Sequence, residues 1–198
     1  MTKTRLEAFS DGVLAIILTI MVLELKIPHS TSCADIVAIL PTLISYVISF
    51  MIIGIYWGNH HHLIHTLSNV KSSIMWANLH LLFWLSLIPY ATKWMGENIT
   101  SSFVIAVYAA LQCLCGIAYS ILLSVILKES KNNKKVIASL ESQTKKGKLS
   151  TALYVIAIPA AFLHPLIPFA LFLFVSASWF IPDKNIEKAV NDNEELSE

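Results

Sequence analysis

The chain has 198 residues, 56% of them hydrophobic and only 14% charged, with a net charge of +1. A soluble domain carries about 25% charged residues, so this composition excludes a soluble fold and marks an integral membrane protein, which the apolar runs below make all-α. Its small net charge offers no case for a nucleic-acid partner.

A spanning helix needs about 20 mostly apolar residues. The first such stretch runs over residues 6–27 and stops at Pro28. It opens with Arg5, Phe9, Ser10 and Asp11, so charge and hydroxyl stand inside a segment assigned to the membrane, where ionisable groups are costly and usually partnered. Lys3 and Arg5 precede the apolar run as they would in a signal peptide. No small-residue cleavage site follows, so an uncleaved first helix is expected. The second span, 35–58, begins after Ser30-Thr31-Ser32 and carries Pro41 in its early turns. The third covers 73–93 with Pro89 near its end, and the fourth covers 102–127. Cys113 and Cys115 lie within the fourth, where small core roles suit them. With Cys33 they make an odd, sparse set that gives no disulfide framework. The stretch 149–181 is too long for one pass and is broken at His164-Pro165 and Pro168. It divides into 149–163 and 166–181, a tight helical hairpin. Residues 1–181 thus form a six-helix transmembrane domain, and 182–198 a polar cytoplasmic tail.

Basic residues set the orientation. With a cytoplasmic N-terminus and six spans, only Lys26 and Lys93 fall outside, which leaves twelve of the 14 Lys and Arg residues inside (14 − 2). Both termini are then cytoplasmic. The lysine-rich segment 128–148 reads as a cytoplasmic loop, either a solvated linker that fixes topology or a contact for anionic lipid headgroups.

This topology places polar groups from three helices at one depth. The first helix enters with Arg5, Ser10 and Asp11. The second leaves with Trp57, His60, His61 and His62, and the third re-enters with Trp76, Asn78 and His80. Burying such groups singly would be expensive, so one hydrogen-bonded network is expected, with Arg5, Ser10, Asp11, His60 and Asn78 as its members. It is either a staple for helix packing or part of a gate. His61 and His65 share a helical face, but no carboxylate or cysteine joins them locally, so no metal site is expected.

Beyond Asp11, one face of the first helix carries Gly12, Ile16, Thr19 and Leu23. Such a stripe serves either as a packing face, where Gly and Thr permit close approach, or as a pore wall. In the second case Ile and Leu rings from several subunits would form dry constrictions around a Thr hydroxyl ring, and hydrophobic constrictions gate by dewetting.

The pattern Arg5-x-x-x-Phe9-Ser10-Asp11 closely resembles the signature of the transmembrane protein 175 family, potassium channels of endolysosomes and of bacteria. Trp57-x-x-His60-His61, and Asn78 followed by Leu85-Ser86-Leu87-Ile88-Pro89-Tyr90, resemble further family patterns. The resemblance implies a single six-helix repeat of the bacterial kind, in a bacterial inner membrane. It implies a homotetramer whose first helices line a central pore, with Ile16, Thr19 and Leu23 along the path of a permeant potassium ion and no cofactor. His62 departs from the pattern, since a basic residue is more usual there, and leaves His60 and His61 as rival network partners. The chain lacks a Thr-Val-Gly-Tyr-Gly filter, so selectivity must come from side-chain rings and is expected to be modest.

A secondary or proton-coupled transporter is the alternative, but no internal repeat is evident and the ionisable groups lie near the inner face rather than the midplane. An intramembrane enzyme using the histidines is disfavoured, because apart from Asp11 the carboxylates lie in loops or at span ends.

Overall fold

The structure, a computed structural model, describes residues 2–28, 30–67, 69–129 and 134–180. Among them the chain forms seven helices: α1 (Lys3–Leu23), α2 (Cys33–His65), α3 (Ser72–Ser86), α4 (Ile88–Glu97), α5 (Ser102–Glu129), α6 (Lys134–Ala160) and α7 (Leu166–Phe180).

Local chemistry sets the starts and stops. Thr2 caps α1, its hydroxyl accepting from the Arg5 N–H at 3.4 Å. Ser32 caps α2 by accepting from the Asp35 N–H at 3.2 Å, which also puts an acidic residue in the first turn, where it opposes the helix dipole. α3 and α4 are two halves of one pass. Pro89 has no N–H to give Leu85 and its ring crowds that carbonyl, so the helix tightens, with Leu87 N–H turning to Trp84 O at 3.2 Å before Ala91 N–H resumes on Leu87 O at 3.1 Å. Counting this kinked pair once gives the expected six-helix architecture. Among the described residues, four of the passes are long and apolar enough to cross a membrane: α1, α2, the α3–α4 pair and α5.

Several boundaries differ from the sequence expectation. The first helix begins at Lys3 and ends at Leu23, so it holds Arg5 in its first turn and releases the chain before Pro28. α2 continues to His65, past the predicted 58, so the histidine run is helical. Its 33 residues span about 50 Å, more than the ~30 Å hydrocarbon core. Most of the predicted loop 128–148 is helix, because α6 starts at Lys134. Lys, Ala, Leu, Glu and Gln are good helix formers, and their charge keeps the segment from reading as membrane without preventing the helix. The turn at 161–165 joins α6 to α7, with His164 Nδ1 accepting from the Leu166 N–H at 3.2 Å. The predicted tail, 182–198, lies outside the described residues.

α5 is the hub. It packs on α6, α3 and α4 and buries Tyr108, Cys115, Ala118 and Leu122 completely. The Tyr108 ring stands edge-on to Phe172 of α7, with centroids 5.2 Å apart, and its hydroxyl meets Ser49 of α2 at 2.7 Å. Thr92 Oγ1 of α4 lies 2.7 Å from the Ser49 Oγ. α4 lies so close to α2 that a Cβ built on Gly96 would fall 2.8 Å from the Thr42 Cα. Small residues allow such backbone approach in membranes, where packing rather than hydrophobicity drives association.

Candidate functional site

α1 lies at the rim of this bundle. It turns Leu6, Ser10, Leu14, Ile17 and Met21 into the protomer, a spacing of three and four that keeps them on one face. Gly12, Ile16, Thr19 and Leu23 point away from it and are exposed; Ile16 is 57% and Leu23 80% exposed. A Cβ built on Gly12 would meet nothing within 4 Å. Within the protomer, therefore, the stripe is not a packing face.

Both ends of α1 are anchored. At the N-terminal end a buried relay joins three helices. The Ser10 hydroxyl donates to Leu6 O at 2.8 Å, so its oxygen is left to accept from Asn78 Nδ2 at 2.9 Å. That orientation turns Asn78 Oδ1 towards His60, whose Nε2–H donates to it at 2.6 Å. Ser10, Asn78 and His60 are almost wholly buried, so each bond is made where an unpaired group would cost about 1–3 kcal/mol. Two further contacts flank the relay. The Trp57 Nε1–H donates to Asp11 Oδ1 at 3.0 Å, and His61 Nδ1 lies 3.0 Å from Glu7 Oε1. Lys3 reaches the end of α2, donating to His65 O at 2.8 Å, a carbonyl without an intrahelical donor.

The expected single network is thus three separate links. His60 takes the Asn78 contact and His61 takes Glu7, which resolves the rivalry between them. Arg5 is the correction: it is exposed, and no side-chain partner for it is found among the described residues. At 100° per residue it falls on the outward side of α1, in line with Gly12, Thr19 and Leu23, which takes it away from the relay. Phe9 is also exposed, at 49%. His80 points elsewhere, accepting from the Trp84 Nε1–H at 2.9 Å.

At the C-terminal end, two ion pairs that sequence reasoning missed fasten α1 to α4. Lys93 lies 2.5 Å from Glu24, and Lys26 lies 2.7 Å from Glu97. The signal was present, since Lys26 and Lys93 are the two basic residues that the sequence reading sets apart from the rest, and each has a glutamate, Glu24 or Glu97, near it in the chain. Below these pairs an open groove of about 700 Å³ separates α1 from α4 and is bordered by Ile16 and Ile20.

Thr19 has a specific geometry. Its hydroxyl donates into its own helix, towards Ala15 O and Ile16 O, each at 3.0 Å. The proton is committed to the backbone, so the exposed side of Oγ1 is a lone pair, an acceptor suited to a cation. No group of three or more His, Cys, Asp or Glu residues able to hold a metal is found among the described residues.

Comparison with known proteins places this arrangement. The family profile described as "Endosomal/lysosomal potassium channel TMEM175" matches residues 5–89, the stretch that carries α1, α2, α3 and the Pro89 kink. A potassium channel of a Chryseobacterium species is 48% identical over 193 residues, covering 98% of this chain and 100% of that one. A potassium channel of Streptomyces collinus is 32% identical over 126 residues, covering 60% of this chain and 61% of that one. The crystal structure of a lysosomal potassium-selective channel TMEM175 homolog from Chamaesiphon minutus superposes with a TM-score of 0.80 at 23% identity, over 90% of this chain and 96% of that one, a likeness of fold. The chain is a multi-pass membrane protein and belongs to the TMEM175 family of potassium channels, a family of ion channels and not of enzymes.

Proposed function

We propose that the chain forms a homotetrameric, potassium-permeable and modestly selective cation channel in a bacterial inner membrane, with both termini cytoplasmic and four α1 helices around a central pore. The observation that carries this reading is the outward stripe of α1. An apolar helix pinned at both ends leaves Ile16, Thr19 and Leu23 without partners in its own protomer. Fourfold repetition would turn that stripe into Ile16 and Leu23 rings about 10 Å apart, with four Thr19 lone pairs between them. The apolar rings form a dewetting constriction. The Thr19 oxygens partly replace water around the ion, without a carbonyl filter, and Arg5 stands at the inner mouth on the same face.

Conduction is passive, and the test is potassium flux into proteoliposomes. Flux should follow the gradient without a counter-substrate, and Ile16→Ser or Leu23→Ser should raise leak several-fold. Saturable, counter-substrate-driven uptake, or no flux under any gradient, would contradict the reading. Under bi-ionic conditions Thr19→Ala should lower the preference for potassium over sodium. An unchanged reversal potential would remove the hydroxyl from the account.

A further inference from the structure

α1 packs chiefly on α2, α3 and α4, and the proposed pore does not use the lysine-rich end of the α5–α6 hairpin. On its outer surface α5 and α6 enclose an open groove. Ile117, Ile121 and Val125 form its floor, one turn apart on α5, and Lys128 follows at the next turn towards the cytoplasm. Lys148 of α6 faces the same groove. Its level is fixed by its neighbour Gly147, whose ideal Cβ lies 3.9 Å from Ser120 Oγ. The wall hydroxyls have given up their protons: Ser120 donates to Gly116 O at 2.8 Å, Ser124 to Ser120 O at 2.7 Å, and Thr151 to Gly147 O at 2.9 Å. The two ammonium groups are therefore the hydrogen-bond donors that this lining presents. Both lysines are exposed, and Glu129, the acidic residue next to Lys128, is held by Lys71.

An apolar floor at the rim of a membrane helix pair is covered by acyl chains, so the open question is which headgroup lies above them. Lysine stems snorkel towards the headgroup plane, which carries Lys148 inward along the groove towards Lys128. Two positive charges over an apolar trough complement one phosphate over two acyl chains. We propose that the α5–α6 groove is a binding site for an anionic phospholipid, its phosphate held by Lys128 and Lys148 and its chains laid along Ile117, Ile121 and Val125.

The test is native mass spectrometry of the full-length protein in detergent, titrated with phosphatidylglycerol or with phosphatidylcholine. Wild-type protein should retain phosphatidylglycerol in clear preference. The double variant K128Q/K148Q should lower that retention on the order of tenfold, from two lysines near the surface. I121W, which fills the groove and leaves both lysines in place, should lower it as well, and it decides the matter alone if the double variant is not recovered folded. Millimolar inorganic phosphate should not displace the lipid. Equal retention of the two lipids, retention unchanged by the variants, or displacement by inorganic phosphate would overturn the proposal. Because the readout is binding, it stands or falls independently of conduction.

Discussion

The most apolar 18-residue stretches of α1 and α5 have nearly the same mean hydropathy, 2.0 and 2.1, yet 28% of that stretch is buried in α1 and 50% in α5. Hydropathy reports that a helix enters the membrane; it says nothing of what the helix touches there. α5 gives more of its surface to its own protomer, and most of its apolar residues are committed to a core, the face of Ile117 and Ile121 excepted. α1 gives the protomer one face, tied down at both ends by polar contacts, and leaves the other face for lipid or a neighbouring subunit. The two helices therefore answer mutation differently, and the difference can be measured.

The largest effect is expected in α5. Leu122 is fully buried, and Leu122→Ala should cost roughly 2–5 kcal/mol through the cavity it leaves, read as a lowered thermal midpoint of the purified protein. Next comes the anchored face of α1. Asn78→Leu removes the acceptor of His60 and the donor to Ser10, so it should cost about 1–3 kcal/mol for the groups left buried and unpaired. The smallest effect belongs to the outward face. Leu23→Ala should shift protomer stability by less than about 0.5 kcal/mol, the range of surface substitutions. If it destabilised as strongly as Leu122→Ala, Leu23 would be a core residue and the comparison would fail.

Much of this was legible in the sequence, for reasons particular residues make plain. Six passes follow from apolar runs punctuated by Pro28, Pro89 and the His164-Pro165 turn. The meeting of Ser10, His60 and Asn78 follows from topology, because three polar residues at one depth on consecutive helices have few other places to find partners. What pattern alone could not supply was rotation about each helix axis. Arg5 and Ser10 stand within two turns of each other on α1, but only Ser10 faces α2 and α3. His60 and His61 are adjacent, and the 100° step between them sends one to Asn78 and the other to Glu7. The early start of α6 at Lys134 escaped because hydropathy is blind to a polar helix. Residues Lys131, Lys184 and Lys188, which the orientation argument also used, lie outside the described residues.

The central claim is that the outward stripe of α1 borders the ion path. Single cysteines placed at positions 16, 19 and 23 and, as controls, at the inward positions 14, 17 and 21 would be compared in proteoliposomes for block of potassium flux by a charged thiol reagent, in a Cys33→Ser background. The account predicts block at the first three positions and none at the other three. Flux untouched at 16, 19 and 23, or block confined to the inward positions, would contradict it.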